Sequence, residues 1–297
     1  MEFNFILPEN FKKQSVKHLL EDTWLIPRKL RYFLRIKKHF LINNQVANEE
    51  LFVKAGDNVH LIFDVEDFPE LTVPFGDAQK ADILYEDDFF VVANKPCGMK
   101  THGNLENELA LQNHVAAALN QPVYVVHRLD EATSGAVLFA KNQFVLPILG
   151  QLFEQNKIHR EYLALVYGTF AQNHFTINQP IGKDRHDKRK QVISKTGKAA
   201  ITHVTVLENL KQKSLLKLIL DTGRTHQIRV HLSAMNKPIV GDTLYTKDNN
   251  EARLMLHAAK LIFPNPFSGE NIEVLAPSQS FDDRYQQEKS NKNESNR

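Results

Sequence analysis

The order in which strand-like and helix-like patterns follow one another most constrains the fold of this 297-residue chain. Helical periodicity is found at 142–155 and 225–234. Short apolar runs typical of strands are more numerous and lie at 83–85, 89–93, 124–126, 136–140, 162–167, 200–207 and 215–220. Because strands and helices do not alternate strictly, the pattern disfavours a doubly wound parallel sheet. It predicts an α+β fold with a mixed, mainly antiparallel sheet, flanking helices and a small N-terminal α/β domain.

Changes in composition along the chain predict four parts. Residues 1–70 form a small N-terminal domain that is expected to fold separately, and residues 71–80 read as a linker. Residues 81–281 form the main domain. Residues 282–297 are polar, charged and almost without apolar side chains, which predicts a disordered tail.

Overall composition limits the class of protein. A hydrophobic fraction of 42% and a charged fraction of 24% are typical of a soluble globular protein. The single cysteine, Cys97, excludes an internal disulfide and a multi-cysteine metal site, and it fits a cytoplasmic protein. No apolar run approaches the ~18–20 residues of a membrane span. The sequence also lacks a Gly-rich phosphate-binding loop, so we expect neither a cofactor nor a metal.

A basic amphipathic segment lies near the N-terminus. It carries Arg28, Arg31 and Arg35 among apolar residues at helical spacing, with no acidic residue between 28 and 48. Two interpretations stay open: a solvated surface face, or a stripe that binds phosphates. A strand, a Gly56-Asp57 turn and a second strand follow. This outline over residues 13–65 resembles the S-four type of RNA-binding domain, first seen in a ribosomal small-subunit protein.

One short segment concentrates chemistry-bearing side chains between two predicted strands. It reads His127-Arg128-Leu129-Asp130-Glu131-Ala132-Thr133-Ser134-Gly135. An Arg-Leu-Asp triplet alone is more often a structural ion pair or an Asx turn. The whole string, however, resembles the catalytic signature of the RluA-type pseudouridine synthases, which modify ribosomal and transfer RNA. That resemblance implies that Asp130 is the catalytic residue.

Three further strings match the same family in order. Val92–Gly98 contains Lys95, which is either a surface lysine or a phosphate ligand. His159–Gly168 contains Tyr162; a lone tyrosine in a strand is usually a core residue, but the resemblance implies that it packs on the target uracil. Leu218–His231 contains Arg224 in a turn before a helix, where a structural salt bridge is the ordinary interpretation. The resemblance implies that Arg224 pairs with the catalytic aspartate.

The resemblance implies a function that requires no cofactor. It predicts isomerisation of uridine to pseudouridine in structured RNA, ribosomal RNA first and transfer RNA second. Asp130 could attack the sugar, attack the base or assist glycal formation. RNA is the expected partner, with no membrane and no obligate protein partner. The residues expected to hold RNA, some of them in a loop that could equally be only solvated, are Arg128, Lys95, Lys183, Arg185, Lys188, Arg189, Arg28, Arg31 and Arg35.

Two other functions stay open from the sequence. The first is a non-catalytic RNA-binding or ribosome-assembly protein on the same fold. The second is an unrelated hydrolase that uses Asp130 together with His127 or His226. No nucleophile elbow or metal-ligand helix supports the hydrolase.

Overall fold

The computed structural model describes residues 1–105, 108–246 and 251–294. The helices are α1 (Val16–His18), which runs into a π-helical turn (Leu19–Thr23), α2 (Arg28–Lys37), α3 (Leu111–Leu119), α4 (Val145–Glu154), α5 (Gln227–Ala234) and α6 (Gln279–Glu294). The strands are β1 (Glu2–Ile6), β2 (Gln14–Ser15), β3 (Phe40–Ile42), β4 (Gln45–Val46), β5 (Phe52–Val53), β6 (Asn58–Ile62), β7 (Ile83–Glu86), β8 (Phe90–Lys95), β9 (Tyr124–Val125), β10 (Ser134–Ala140), β11 (His159–Tyr167), β12 (His174–Asn178), β13 (Ile181–Lys183), β14 (Gln191–Ile193), β15 (Ile201–Asn209), β16 (Lys213–Leu220), β17 (Leu256–Pro264) and β18 (Asn271–Leu275).

A ten-stranded sheet forms the main domain, with strand order β12-β15-β16-β11-β17-β10-β8-β7, β18 beside β17 and β9 beside β10. Only β10 and β17 pair in parallel within it; the other pairs are antiparallel. The predicted α+β fold with a mixed, mainly antiparallel sheet is therefore confirmed. The N-terminal part contains its own four-stranded sheet, β1-β6-β3-β4.

Strand β10 lies at the centre of the main domain and is buried along its whole length. Successive side chains of a strand point to opposite faces. Leu138 accordingly packs into one apolar core with α4, and Phe139 packs into a second core with α3 and α5. Both faces of the sheet are covered here, so the loop that precedes β10 is attached to a rigid support.

The N-terminal part shares the first of these cores. Rings of Phe3 and Phe144 lie 4.6 Å apart between centroids, those of Phe5 and Phe267 lie 4.7 Å apart, and those of Phe63 and Phe144 lie 5.1 Å apart. Burial of such large apolar surfaces stabilises the contact. The expectation of an N-terminal module that separates cleanly was therefore wrong, because its aromatic side chains form one core with the main domain.

The β3–β4 hairpin turns through Asn43 and Asn44, with φ of 50° and 66°. Asparagine tolerates this left-handed backbone better than most residues, and two such residues form the tight turn that suits a hairpin. The Gly56-Asp57 turn also forms, with Gly56 at φ 81°. The basic helix α2, the β3–β4 hairpin and the Gly56-Asp57 turn thus follow one another along the chain in the order that the sequence predicts.

The C-terminal tail is helical as far as Glu294, so the prediction of disorder from residue 282 was wrong for this segment. Phe281 is buried against the sheet, and the Lys213 ammonium on β16 binds the Glu288 carboxylate at 2.6 Å. Arg284 likewise binds Glu251 and Glu288. Phe281 and Tyr285 pack against the core, and the helix is otherwise polar or charged, so it has no sustained apolar periodicity and its sequence resembles a disordered tail. Residues 295–297 lie outside the described residues.

Candidate active site

Asp130 lies in the loop between β9 and β10, and the surrounding backbone holds this loop firmly. Thr101 fixes the backbone of Leu129, the residue before Asp130. Its Oγ1 accepts from the Leu129 amide at 3.1 Å and donates to the Leu129 carbonyl at 3.2 Å. The Thr133 amide donates to the Asp130 carbonyl at 3.0 Å. The side chain of Asp130 is thus presented by a loop whose backbone hydrogen bonds are satisfied.

Lys95 is a structural support of this loop. Its side chain is fully buried, and its ammonium donates to the carbonyls of Pro96, Met99 and Glu131 at 3.0, 2.5 and 2.9 Å. Burial lowers the pKa of Lys95 to about 8, so the group stays mainly protonated at neutral pH. The prediction that Lys95 binds RNA was wrong, because its three N–H groups are all used inside the protein.

We expect Lys95→Met to damage folding and turnover but not the RNA affinity of the folded protein. The substitution removes the three hydrogen bonds that the buried ammonium donates to loop carbonyls, which should cost roughly 3 kcal/mol or more. Urea denaturation and filter binding on the same preparations measure the two effects. Normal stability with a large loss of RNA affinity would return Lys95 to the RNA-binding surface.

The carboxylate of Asp130 faces Arg229, which lies in the first turn of α5. The Arg229 Nη1 lies 3.4 Å from the Asp130 Oδ2. The rest of the guanidinium is held by Asp242, whose two oxygens accept from Nε and Nη2 at 2.8 Å each. Burial acts to lower the pKa of Arg229, but the two carboxylates outweigh it and raise the pKa. A fixed positive charge therefore stands beside Asp130.

The prediction that Arg224 pairs with Asp130 was wrong. Arg224 Nε donates to the Ala199 carbonyl at 2.9 Å, although the side chain still lines the cleft that contains Asp130. Helix α5 begins at Gln227, two residues later than the sequence predicts, and the Gln227 side chain accepts from the Arg224 amide at 3.0 Å. The turn therefore directs Arg224 elsewhere, and Arg229 on the helix faces the carboxylate.

Arg229→Lys is expected to lower turnover much more than Arg224→Lys. Lys offers one point charge and cannot bridge two carboxylates in the way that a planar guanidinium does. Asp242 is 1% exposed, so loss of its paired contact should also cost at least about 2 kcal/mol of unfolding free energy. Single-turnover rates and urea denaturation of both variants measure this. Equal effects of the two substitutions would contradict the assignment of Arg229.

Tyr162 and Asp130 line one open cleft of about 610 Å³. Tyr162 lies on β11, where the pairing with β17 shifts register between Glu161 and Tyr162. Such a bulge re-aims a side chain. Burial raises the pKa of Tyr162, so its hydroxyl is protonated at neutral pH. Leu256 and Ile228 add apolar surface to the cleft.

Histidines in the predicted strings have different roles. His127 Nε2 accepts from the Leu138 amide at 3.0 Å, and burial lowers the pKa of His127 to about 3. Because the His127 ring is neutral and its Nε2 is hydrogen-bonded to the backbone of β10, this residue supports the strand and does not serve as a base for Asp130. His257 also supports the architecture, since it contacts the Ser134 hydroxyl and the Ala276 carbonyl at 2.8 Å each. His226 is the histidine that approaches Asp130, at 3.8 Å.

The predicted RNA-contacting side chains lie at the surface in three places. Arg128 is exposed at the edge of the Asp130 cleft. Lys183, Arg185 and Lys188 are exposed on the β13–β14 hairpin, where Arg189 pairs with Asp187 at 2.8 Å. On α2, Arg28 and Arg35 are exposed, whereas Arg31 pairs with Glu21 at 2.8 Å.

The part of the chain that the structure describes contains neither a membrane-spanning helix nor a cluster of metal ligands. In the ranges 1–105, 108–246 and 251–294, no helix is long and apolar enough to cross a membrane. In the same part of the chain, no group of three or more His, Cys, Asp or Glu side chains could hold a metal ion.

The chain is similar in sequence to known proteins over both its N-terminal part and its main domain. Residues 89–234 match the family model of RNA pseudouridylate synthase, and residues 3–59 match that of the RluD ribosomal pseudouridine synthase N-terminal domain. The chain is 36% identical to the uncharacterized RNA pseudouridine synthase YhcT of Bacillus subtilis over 80% of each chain. It is 32% identical to the ribosomal large subunit pseudouridine synthase C of Buchnera aphidicola over 91% of this chain and 92% of that one.

A solved structure shows the same architecture. Human RNA Pseudouridylate Synthase Domain Containing 1 superimposes with a TM-score of 0.60 at 30% identity, over 70% of this chain and 89% of that one. The matched family model and relatives define the class of protein as an enzyme that acts on RNA. The chain belongs to the RNA pseudouridine synthase family. The resemblance stated from the four sequence strings is thereby confirmed.

Proposed function

We propose that this enzyme isomerises uridines of ribosomal RNA and that Asp130 is its catalytic residue. The observation that carries the proposal is the position of the Asp130 carboxylate in a 610 Å³ cleft beside Arg229 and Tyr162. Ligand clefts commonly enclose about 300–1,000 Å³, so one extruded nucleotide fits a space of this size.

The chemistry requires a carboxylate close to the ribose. The bond between uracil N1 and C1′ breaks, the base rotates and a bond forms between C5 and C1′. C5 loses a proton and N1 takes one up, so no atom is gained and nothing is oxidised overall. A carboxylate can stabilise an oxocarbenium-like centre or bond to it, as in glycoside hydrolysis. The described side-chain contacts of the Asp130 carboxylate, from Arg229 and His226, both fall on Oδ2. This arrangement supports Oδ1 as the oxygen that meets the substrate.

Tyr162 is the side chain that we assign to the extruded base. A uridine must leave its stack to reach a carboxylate in a cleft, at a cost of roughly a few kcal/mol. Stacking on an aromatic ring recovers about 1–3 kcal/mol per base. Tyr162 is 6% exposed and lines the same cleft as Asp130, which supports this role.

The exposed basic groups are assigned to the RNA backbone. Arg128 lies beside the cleft, the β13–β14 hairpin presents Lys183, Arg185 and Lys188, and α2 presents Arg28 and Arg35. Each phosphate that such a group neutralises should contribute to a salt-dependent affinity. Arg189 and Arg31 should contribute less to RNA affinity, because each already has a carboxylate partner.

Ribosomal RNA is the proposed substrate because two findings favour it over transfer RNA. The N-terminal segment matches a domain named for a ribosomal pseudouridine synthase, and the Buchnera relative that spans most of this chain is named for the large ribosomal subunit. A ribosomal RNA substrate supports a cytoplasmic location, and we propose that the enzyme acts there without an obligate protein partner.

Substrate choice is tested with purified protein and unmodified transcripts. We expect pseudouridine at one or a few positions of large-subunit ribosomal RNA, and no modification of small-subunit RNA or of a transfer RNA pool at equal concentration. Nucleotide-resolution mapping after reaction gives the positions. Modification of the transfer RNA pool alone would overturn the ribosomal assignment and leave the enzymatic activity intact.

A further inference from the structure

His226 occupies a strained backbone position next to Asp130. It immediately precedes α5 with φ of 58°, in the left-handed region that non-glycine residues rarely adopt. Such strain costs of order 1–3 kcal/mol and persists where surrounding structure enforces it. The result of this conformation is that Nε2 of His226 lies 3.8 Å from the Asp130 Oδ2, with 15% of the side chain exposed.

The other ring nitrogen of His226 contacts a tyrosine hydroxyl. The Tyr245 oxygen lies 3.0 Å from His226 Nδ1, and the two rings meet edge to face at 5.7 Å between centroids. The same oxygen accepts from the backbone amide of Gln191 at 2.8 Å. Gln191 belongs to the β13–β14 hairpin, so the hairpin backbone fixes the position of the hydroxyl.

These contacts favour one tautomer of His226. The Tyr245 oxygen receives the Gln191 N–H, and its own hydrogen is free to be donated to His226 Nδ1. Nδ1 then accepts, and the ring proton is on Nε2, which faces Asp130. Burial raises the pKa of Tyr245 to about 12, so the phenol keeps its proton. Burial also lowers the pKa of His226, more than the nearby Asp130 raises it, so the ring is neutral.

We propose that His226 and Tyr245 form a positioning pair for Asp130. Tyr245 fixes the Nε2–H tautomer of His226, and His226 then donates to the Asp130 Oδ2. The observed 3.8 Å is longer than a hydrogen bond, and contacts of this kind tighten when substrate binds. With Arg229 on the same oxygen, the carboxylate cannot rotate and Oδ1 stays directed to the cleft. This inference rests on the proposed catalytic role of Asp130.

Tyr245→Phe tests the pair, because it removes one hydroxyl and retains the ring. The matched control is Tyr85→Phe, which removes a hydroxyl that donates to Asp87 at 2.8 Å. Tyr85 is far from Asp130 in sequence and lies outside both the cleft and the Asp130 loop. Two-bond ¹⁵N spectra of histidine-labelled protein report the tautomer, with the His226 signal identified by its loss in His226→Gln. Single-turnover rates and RNA affinity are measured on the same samples.

We expect Tyr245→Phe to change the His226 signal from the Nε2–H tautomer to a mixture and to lower the single-turnover rate about tenfold, as loss of one neutral hydrogen bond permits. RNA affinity should be unchanged, and Tyr85→Phe should alter neither readout. An unaltered tautomer, an unaltered rate, or a loss confined to RNA affinity would each overturn the proposal.

A second comparison applies if Tyr245→Phe does not fold. His226→Gln can place an amide N–H near the position of Nε2–H, whereas His226→Ala cannot, and both side chains meet the same backbone strain. We expect the Gln variant to turn over faster than the Ala variant; equal rates would overturn the proposal. The tautomer is measured in the free protein, without turnover. It therefore still tests the contact between Tyr245 and His226 if an active Asp130→Asn variant shows that Asp130 is not catalytic.

Discussion

Replacing Asp130 by Asn is expected to lower pseudouridine formation by at least about a thousandfold, which corresponds to about 4 kcal/mol of transition-state stabilisation. The amide retains the shape of the side chain but can neither bond to the sugar nor act as a base. It also keeps an oxygen for Arg229, which lies 3.4 Å from the present carboxylate. Single-turnover kinetics on a validated transcript measure the loss.

The same variant should fold and bind RNA normally. Asp130 is partly exposed, and its loop is held by Thr101 and Lys95 through the backbone, so the substitution removes no support of the loop. Urea denaturation and binding to the same transcript are the controls. A rate within about tenfold of the unsubstituted enzyme would exclude Asp130 as the catalytic residue.

Deleting residues 1–70 is expected to destabilise the main domain. The deletion removes Phe3, Phe5 and Phe63, and it exposes Phe144 and Phe267, which they contact. Exposure of each large apolar side chain costs roughly 2 kcal/mol, a large part of the roughly 5–15 kcal/mol by which domains are stable. Thermal and urea denaturation should show a much lower midpoint or aggregation. A truncated protein as stable as the full chain would contradict the shared core.

A double substitution separates the RNA-binding role of the N-terminal part from its structural role. Arg28→Gln with Arg35→Gln changes two exposed guanidinium groups on α2 and leaves the aromatic core in place. We expect unchanged stability, weaker RNA binding and a salt dependence shallower by up to about two units of slope. Equal affinity and an equal slope would show that α2 does not contact RNA.

Local sequence rules account for the location of Asp130 and Tyr162 in one cleft, because each is presented by a strand or by the loop that precedes one. Alternation along β10 and β11 fixes which side chains face the sheet surfaces, and the loop before β10 is short. These local rules bring the two residues to one cleft. They also predict the strands of the main domain and therefore its class of fold.

The partner of Asp130 could not be predicted because it depends on where a helix begins. A start at Thr225 would leave Arg224 at the helix terminus, whereas the actual start at Gln227 places Arg229 on the face towards Asp130. The decisive contact of Arg229 with Asp242 joins residues 13 positions apart and leaves no periodic trace in the sequence. Lys95 was mistaken for a surface cation for a similar reason, since its three carbonyl partners are set by loop geometry.

Tertiary packing also explains the two errors in domain organisation. Phe3 and Phe5 alternate along a strand in a way that fits an independent domain, and only their partners Phe144 and Phe267 show that they belong to a shared core. The C-terminal helix is anchored by Phe281 and by ion pairs to distant residues. Long-range contacts of this type are not encoded in local composition.

The most direct test of the central claim, that Asp130 catalyses uridine isomerisation in ribosomal RNA, is a pseudouridine map of total RNA from cells that lack this gene. The map is compared with those of cells complemented by the unsubstituted protein and by Asp130→Asn, expressed at equal levels. We predict that specific large-subunit ribosomal positions lose pseudouridine in the deletion strain, regain it with the unsubstituted protein and stay unmodified with Asp130→Asn. Restoration of the same positions by Asp130→Asn would contradict the claim.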